Sequence, residues 1–205
     1  MVGLSTVGLL VVSSPNRMHR IALFLNPPEA SDITVSQQPL SAIHALASGG
    51  WFGLGLGASR QKWGGLYDGA QNDYVLAVLG EEMGLVGTLG VLILFTVLGF
   101  AGFRIAQRST SLYTRLLAGG TTGWLLFQGM VNIAVVLKLV PVIGVPLPFI
   151  SVGGSALTAN LMAAGLLVAC ARQEPAARKY LGARSGDRPK VTTVVERKRR
   201  ASATK

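Results

Sequence analysis

The sequence predicts an all-α polytopic membrane protein with three clear transmembrane helices, a partial helix before them and a large extracytoplasmic loop. Half of the 205 residues are apolar and only 14% are charged. Between residues 83 and 175 the only acidic residue is Glu174. Because a helix needs about 20 apolar residues to cross the ~30 Å hydrocarbon layer of a bilayer, such long uncharged stretches indicate that lipid is the solvent for much of the chain.

The first part of the chain combines a short apolar segment with a long polar one. The partial helix covers residues 1–13, which are too few to span a bilayer and are similar to the last turns of a membrane helix. Residues 14–83 form the predicted extracytoplasmic loop, and its prolines, among them Pro39, are expected to divide it into short pieces. A brief amphipathic helix is predicted for residues 41–47, ended by Gly49 and the glycine after it.

The predicted three-helix transmembrane region covers residues 84–171, with spans at 84–103 and 116–137 and a third span that ends near Ala171. Three arginines and no acid surround the loop between the first two spans, which predicts that this loop is cytoplasmic. The next connection, LVPVIGVPLPFISVGGS, contains three prolines and predicts a kinked entry into the third span. Irregular backbone at membrane depth is tolerated only where it packs within protein or faces a cavity.

Two amide side chains interrupt the second predicted span. Gln128 and Asn132 lie four residues apart and therefore share one helix face. Hydrogen bonds between helices are their expected role, and lining a polar cavity is the alternative. Cys170 is the only cysteine, which excludes an intramolecular disulfide.

Most of the net charge of +10 belongs to residues 172–205, a predicted basic cytoplasmic tail. This tail contains 11 Lys or Arg residues against 3 acids. Basic residues next to a membrane span mark the cytoplasmic side and attract anionic lipid head groups by about 1 kcal/mol each. Because the basicity is confined to the tail, the sequence favours anionic lipids, and not nucleic acid, as its partner.

Ionisable and flexible residues gather in residues 47–84, at the predicted membrane edge, and such a cluster indicates a functional site. The alternating glycines from Gly53 to Gly57 predict a flexible loop. With the two cations that follow, the alternative is that open backbone amides hold a phosphate or diphosphate. The cluster contains four acids and two cations: Asp68, Asp73, Glu81, Glu82, Arg60 and Lys62.

Three of these acids also have a structural interpretation, which spacing alone favours. Asp73 follows Asn72 and precedes an apolar stretch, where it would serve as a helix N-cap worth about 1 kcal/mol. Glu81 and Glu82 would complement the positive end of the helix that starts near Gly84.

Three motifs occur in order, with membrane spans between them: SGGWFGLGLGASRQKW, NDYVLAVLGEEMG and PVIGVPLPFISVGGSAL. Together they resemble the SEDS family, which comprises the FtsW, RodA and SpoVE proteins of bacterial cell division, elongation and sporulation. The resemblance implies an all-helical membrane enzyme, a peptidoglycan glycosyltransferase that polymerises lipid II into glycan strands outside the membrane. The chain resembles only the C-terminal half of the family, which leaves open whether it is active without the missing helices.

The resemblance also assigns roles to residues of this chain. Asp73 matches the aspartate that the family uses as the catalytic base, although Gln71 stands where the family has histidine. A divalent cation, Mg²⁺ or Mn²⁺, is compatible with the diphosphate leaving group, but no residue stands out as its ligand. The implied substrate-binding residues are Arg60, Lys62 and Glu81, with a turn that walls the pocket and contains Ser151, Gly153, Gly154 and Ser155.

Location and partners follow from the same resemblance. It implies a multi-pass protein of the bacterial plasma membrane, with a cytoplasmic C-terminus, that works with a class B penicillin-binding protein. The long basic tail favours an FtsW-type protein at the division septum, with other divisome proteins as further partners. Two alternatives remain: a flippase or transporter of lipid II, and a non-catalytic division scaffold that acts through its tail.

Overall fold

The computed structural model describes residues 33–66, 72–175, 177, 179 and 180, and this part of the chain is entirely helical, without strands. The predicted all-α class is therefore confirmed for these residues. The partial helix at 1–13, Asp68, Gln71 and most of the basic tail lie outside the described residues. The helices are α1 (Ile33–Gly49), α2 (Val75–Arg108), α3 (Leu112–Val136) and α4 (Gly154–Arg172), with a 3₁₀ turn at Gln61–Trp63.

Helix α1 is longer than the sequence predicts because it continues through Pro39. The prediction that Pro39 divides this segment is therefore wrong. A proline inside a helix removes one backbone hydrogen bond and costs about 3 kcal/mol. Tight packing compensates: Ala42 and Ala45 are fully buried, and Gly49 lies directly against the backbone carbonyl of Gly80 in α2. The helix ends at the predicted glycine pair.

Helix α2 contains a backbone break at Gly84, where φ is 68° and ψ is −160°. The predicted start of the first span coincides with this break. The amides freed there are satisfied by the loop after α1, because Leu85 N donates to the carbonyl of Gly50 at 2.9 Å and Val86 N to that of Trp51 at 3.2 Å. Backbone of the glycine-rich loop thus completes the hydrogen bonding of the broken helix.

Two of the described helices, α2 and α4, are long and apolar enough to cross a membrane. Helix α3 has 25 residues, but polar side chains such as Gln128 and Asn132 interrupt its apolar sequence, and the third span stays a prediction. The helices approach closely through small residues, as is common inside membranes. A side chain at Gly102 would collide with Thr122, and one at Gly99 would meet Leu126 at 2.9 Å.

The described bundle has two ends with different chemistry. Helix α3 runs antiparallel to α4, since Thr114 near its start donates a 3.3 Å hydrogen bond to the side chain of Gln173 beyond the end of α4. We call this the arginine end, because it gathers Arg104, Arg108, Arg115 and Arg172. We call the opposite end, which carries Asp73, the site end. Its buried core consists of Ala42, Ala45, Leu66, Tyr74, Leu76, Ala77, Val91, Val135, Val136 and Leu147.

Candidate functional site

Asp73 is a half-buried residue just outside α2. The N-cap position belongs to Tyr74, and that cap makes no side-chain hydrogen bond to the helix. The N-cap position predicted for Asp73 thus belongs to the next residue, and Asp73 lies one position before it.

The backbone on both sides of the Asn72–Asp73 peptide is held by two buried side chains. Asn132 of α3 donates from Nδ2 to the carbonyl of Asp73 at 3.0 Å, and Ser151 donates from Oγ to the carbonyl of Asn72 at 2.7 Å. Asn132 is fully buried and Ser151 is 5% exposed. Two consecutive carbonyls at the candidate base are thus fixed by groups from separate parts of the fold.

The same two side chains also bind the proline-rich connection between α3 and α4. Asn132 Nδ2 donates to the carbonyl of Val145 at 2.8 Å, and Ser151 Oγ accepts from Leu147 N at 2.8 Å. Gln128 Nε2 donates to the carbonyl of Pro146 at 3.0 Å. The side-chain amides of Gln128 and Asn132 therefore bind irregular backbone. The sequence had predicted hydrogen bonds between helices for them.

Glu81 is the buried anchor of the cationic loop. Its carboxylate is 1% exposed and accepts three hydrogen bonds: from Ser59 Oγ at 2.5 Å, from Arg60 N at 3.1 Å and from Gln61 N at 3.3 Å. Ser59 Oγ in turn accepts from Lys62 N at 3.1 Å. Since a carboxylate at the start of a helical turn satisfies donors that have no partner within the turn, Glu81 and Ser59 together fix the 3₁₀ turn that carries both cations.

Three amides of the glycine-rich loop are bonded within the protein. Gly53 N donates to the carbonyl of Gly49, Leu54 N to that of Glu81 and Gly55 N to that of Glu82, at 2.8, 2.9 and 3.0 Å. These amides are committed to α1 and α2, so they are not available to a phosphate. The predicted phosphate or diphosphate would therefore not be held by these three amides.

Of the two cations in the loop, Arg60 is exposed and Lys62 is half-buried. The Lys62 ammonium lies 5.9 Å from the centre of the Trp63 ring, a cation–π contact. Lys62 also lines a cavity of about 230 Å³ next to the start of α2. The other lining residues are Val75, Val78, Leu79, Glu82, Met83 and Val152.

Glu82, and not Glu81, shares this cavity with Lys62. Its Oε1 atom is buried and has no hydrogen-bond partner among the described residues. Glu82 lies on one helix face with Val75, Val78 and Leu79, because these positions are spaced by three, four and seven residues. The sequence placed Glu82 in the ionisable cluster, with a role at the helix end as the structural alternative, and this spacing is the signal that identifies its face.

The predicted wall residues separate into one buried contact and three positions at the start of α4. Ser151 alone among them bonds the Asp73 segment. Gly153 is the N-cap of α4, Gly154 is its first residue and Ser155 is exposed. The substrate roles of all four, and those of Arg60, Lys62 and Glu81, stay predictions.

The acidic groups of the described residues do not assemble into a metal site. No group of three or more His, Cys, Asp or Glu side chains in this part of the chain is arranged to hold an ion. The carboxylate of Glu81 already accepts hydrogen bonds from Ser59 Oγ and two backbone amides. The divalent cation stays a prediction, without ligands among the described residues.

Comparison with known proteins identifies the family. Residues 1–176 match the family model of FtsW, RodA and SpoVE, described as "Cell cycle protein". The chain belongs to this family. It is 43% identical over 172 residues to stage V sporulation protein E of Bacillus subtilis and 43% identical over 183 residues to a probable peptidoglycan glycosyltransferase FtsW of Mycobacterium tuberculosis. These alignments cover 84% and 89% of this chain.

Solved structures of the family share the fold. A chain of a peptidoglycan synthase complex matches with a TM-score of 0.61 and 30% identity over 85% of this chain and 48% of that one. A variant of the Thermus thermophilus rod shape determining protein RodA matches with a TM-score of 0.52 and 29% identity over 77% of this chain and 54% of that one. The chain spans 46% of the length of the sporulation protein and 34% of that of the mycobacterial FtsW.

Proposed function

We propose that this chain carries the active site of a peptidoglycan glycosyltransferase that polymerises lipid II into glycan strands during cell division. Membership of the FtsW, RodA and SpoVE family supports this proposal, as does the similarity to a chain of a peptidoglycan synthase complex. The chain spans less than half the length of these two curated relatives, so the activity of the whole protein is part of the proposal.

The observation that carries the proposal is the position of Asp73. It is half-buried and lies just before the N-cap of α2, its backbone carbonyl accepts a hydrogen bond from Asn132, and it precedes the cavity residue Val75 by two positions. A carboxylate on a held backbone, two residues from a cavity-lining position and before the apolar part of the helix, suits a general base.

In the proposed reaction, Asp73 accepts the proton of a sugar 4-hydroxyl as that oxygen attacks the anomeric carbon of a second lipid-linked sugar. The new glycosidic C–O bond forms while the bond from the anomeric carbon to the diphosphate oxygen breaks. General base catalysis of this kind contributes roughly 10²–10⁴-fold to a rate. The proton stays on the Asp73 carboxyl until it is passed to water.

The departing polyprenyl diphosphate gains negative charge, which fixed cations stabilise. Lys62 lines the cavity, and Arg60 lies exposed at the start of the same turn, so both belong to one anchored element. We assign the leaving-group charge to these two side chains. Glu81 acts indirectly, because its carboxylate holds the turn in place.

The partners proposed for this site follow the family. We propose a class B penicillin-binding protein as the neighbouring subunit, other divisome proteins beside it, and anionic lipids at the basic tail. The proposed location is the plasma membrane at the septum, with three spans, the site end outside and the C-terminus in the cytoplasm.

Asp73→Asn tests the proposal. The protein is purified from its native membrane together with any polypeptide that accompanies it, and polymerisation of fluorescent lipid II is followed on gels. We expect Asp73→Asn to abolish polymer formation while protein amount and partner binding stay unchanged. Asn72→Ala is the matched control, since the Asn72 side chain is exposed. Normal polymerisation by Asp73→Asn would refute the assignment, and lipid II transport without polymer formation by the unmodified protein would favour the flippase alternative.

A further inference from the structure

Three segments that are remote in sequence meet at the Asn72–Asp73 peptide. The Asn132–Asp73 hydrogen bond joins residues 59 positions apart, and the Ser151–Asn72 bond joins residues 79 positions apart. Both donors are buried, and both also bind the connection between α3 and α4. The result is a joint of four side-chain hydrogen bonds, which links the segment before α2, helix α3 and the proline-rich connection.

The segment precedes α2, and the N-cap of that helix contributes no side-chain hydrogen bond. The joint restrains the Asn72–Asp73 peptide from outside this segment. Asn132 is fully buried on α3, so its hydrogen bonds lie inside the bundle and not at its surface.

We propose that Asn132 and Ser151 are positioning residues for the catalytic base: they fix the Asp73 backbone so that its carboxylate meets the attacking hydroxyl. This inference rests on the proposed function. A misplacement of about 1 Å at a reacting group costs roughly 10²-fold in rate, so two hydrogen bonds that hold consecutive carbonyls have a measurable effect on turnover. Neither side chain takes part in proton transfer.

Ser151→Ala and Asn132→Leu remove the two donors, and lipid II polymerisation by the natively purified protein is then measured at varied substrate concentration. We expect kcat to fall by about 10²-fold while KM changes little, because the position of the base affects the transition state and not the bound substrate. Ser151→Thr keeps a hydroxyl at the same place and should recover most of the lost kcat. A purely structural role would instead lower the amount of folded protein and leave the kcat of the remainder unchanged.

Gln128→Leu is the matched control. Gln128 lies one turn before Asn132 on the same helix and makes the same type of bond to the same connection, through the carbonyl of Pro146. Its bond goes to this connection and not to the Asn72–Asp73 segment. We expect this variant to keep a kcat near that of the unmodified protein. An equal loss of kcat in Gln128→Leu and Asn132→Leu would overturn the inference, because the connection and not Asp73 would then be the sensitive element.

The outcome for Asp73→Asn, measured beside these variants, separates this inference from the proposed function. If Asp73→Asn still forms polymer, both are overturned. If Asp73→Asn is inactive but folded Ser151→Ala and Asn132→Leu have normal kcat, only the positioning role is lost. Should Asn132→Leu fail to accumulate, the comparison of Ser151→Ala with Ser151→Thr decides, since the threonine variant retains the hydrogen-bonding group.

Discussion

Ser59 donates a 2.5 Å hydrogen bond to the carboxylate of Glu81, 22 residues further along the chain. Both side chains are almost completely buried, at 2% and 1% exposure. Hydrogen bonds to charged groups are stronger than those between neutral ones, and a buried carboxylate that loses donors pays the cost of desolvation. The pair therefore couples the stability of the loop that carries Arg60 and Lys62 to the first turns of α2.

We predict that Ser59→Ala lowers the free energy of unfolding by about 1.5–3 kcal/mol, the usual contribution of a hydrogen bond to a charged group. Glu81→Ala should cost more, because it also leaves the amides of Arg60 and Gln61 without their acceptor. Thermal unfolding in detergent measures both effects. Glu82→Gln is the control, since Glu82 Oε1 has no hydrogen-bond partner among the described residues. Unchanged unfolding of Ser59→Ala would contradict the anchoring role.

The two cations of this loop should contribute unequally. Lys62 is half-buried and lines the cavity, whereas Arg60 is exposed and more screened by water. We expect Lys62→Ala to lower kcat for lipid II polymerisation by about 10²-fold, as for the loss of one group that stabilises transition-state charge. Arg60→Ala should have a smaller effect.

Arg115→Ala provides the control for this comparison, because Arg115 lies at the arginine end, away from the cavity. It should leave kcat unchanged. A Lys62→Ala variant with full activity would remove this residue from the proposed leaving-group site.

Local patterns predicted those parts of the fold that depend on neighbours in sequence. The apolar runs predicted the helices, the glycine pair predicted the end of α1, and the prolines predicted the irregular connection before α4. The predicted start of the first span coincides with the break at Gly84. The break lies at a glycine because glycine is the residue that adopts this backbone conformation.

The parts that sequence reasoning missed depend on tertiary contacts. Pro39 remains inside α1 because the packing of Ala42, Ala45 and Gly49 outweighs its local cost. No local pattern indicates that Asn132 binds the backbone of Asp73, since the two are 59 residues apart. The family resemblance predicted Asp73 as the base from a short motif, but the side chains that hold its backbone are recognised only from the structure.

Gly84 should not tolerate a side chain. Its φ of 68° with ψ of −160° is a conformation almost restricted to glycine, and a Cβ there would approach Trp51 O to 2.6 Å. We expect Gly84→Ala to lower the free energy of unfolding by about 1–3 kcal/mol, measured by thermal unfolding in detergent. Gly90→Ala, on the same helix with open space at its Cβ, should be neutral or stabilising. Equal stability of the two variants would argue against the break in α2.

The membrane crossing of α3 determines whether the site end and the arginine end face opposite sides of the membrane. Cys170 is the only cysteine, so a Cys170→Ser background allows single cysteines to be placed at exposed positions on each side of α3, with Thr110→Cys before it and Ile143→Cys after it. If α3 spans the bilayer, a membrane-impermeant maleimide added to intact spheroplasts labels Ile143→Cys, and Thr110→Cys reacts only after lysis. The three nearby arginines predict this orientation, because basic loops stay in the cytoplasm. Labelling of both positions from the same side would show that α3 does not cross, and the predicted region of three spans would then be wrong.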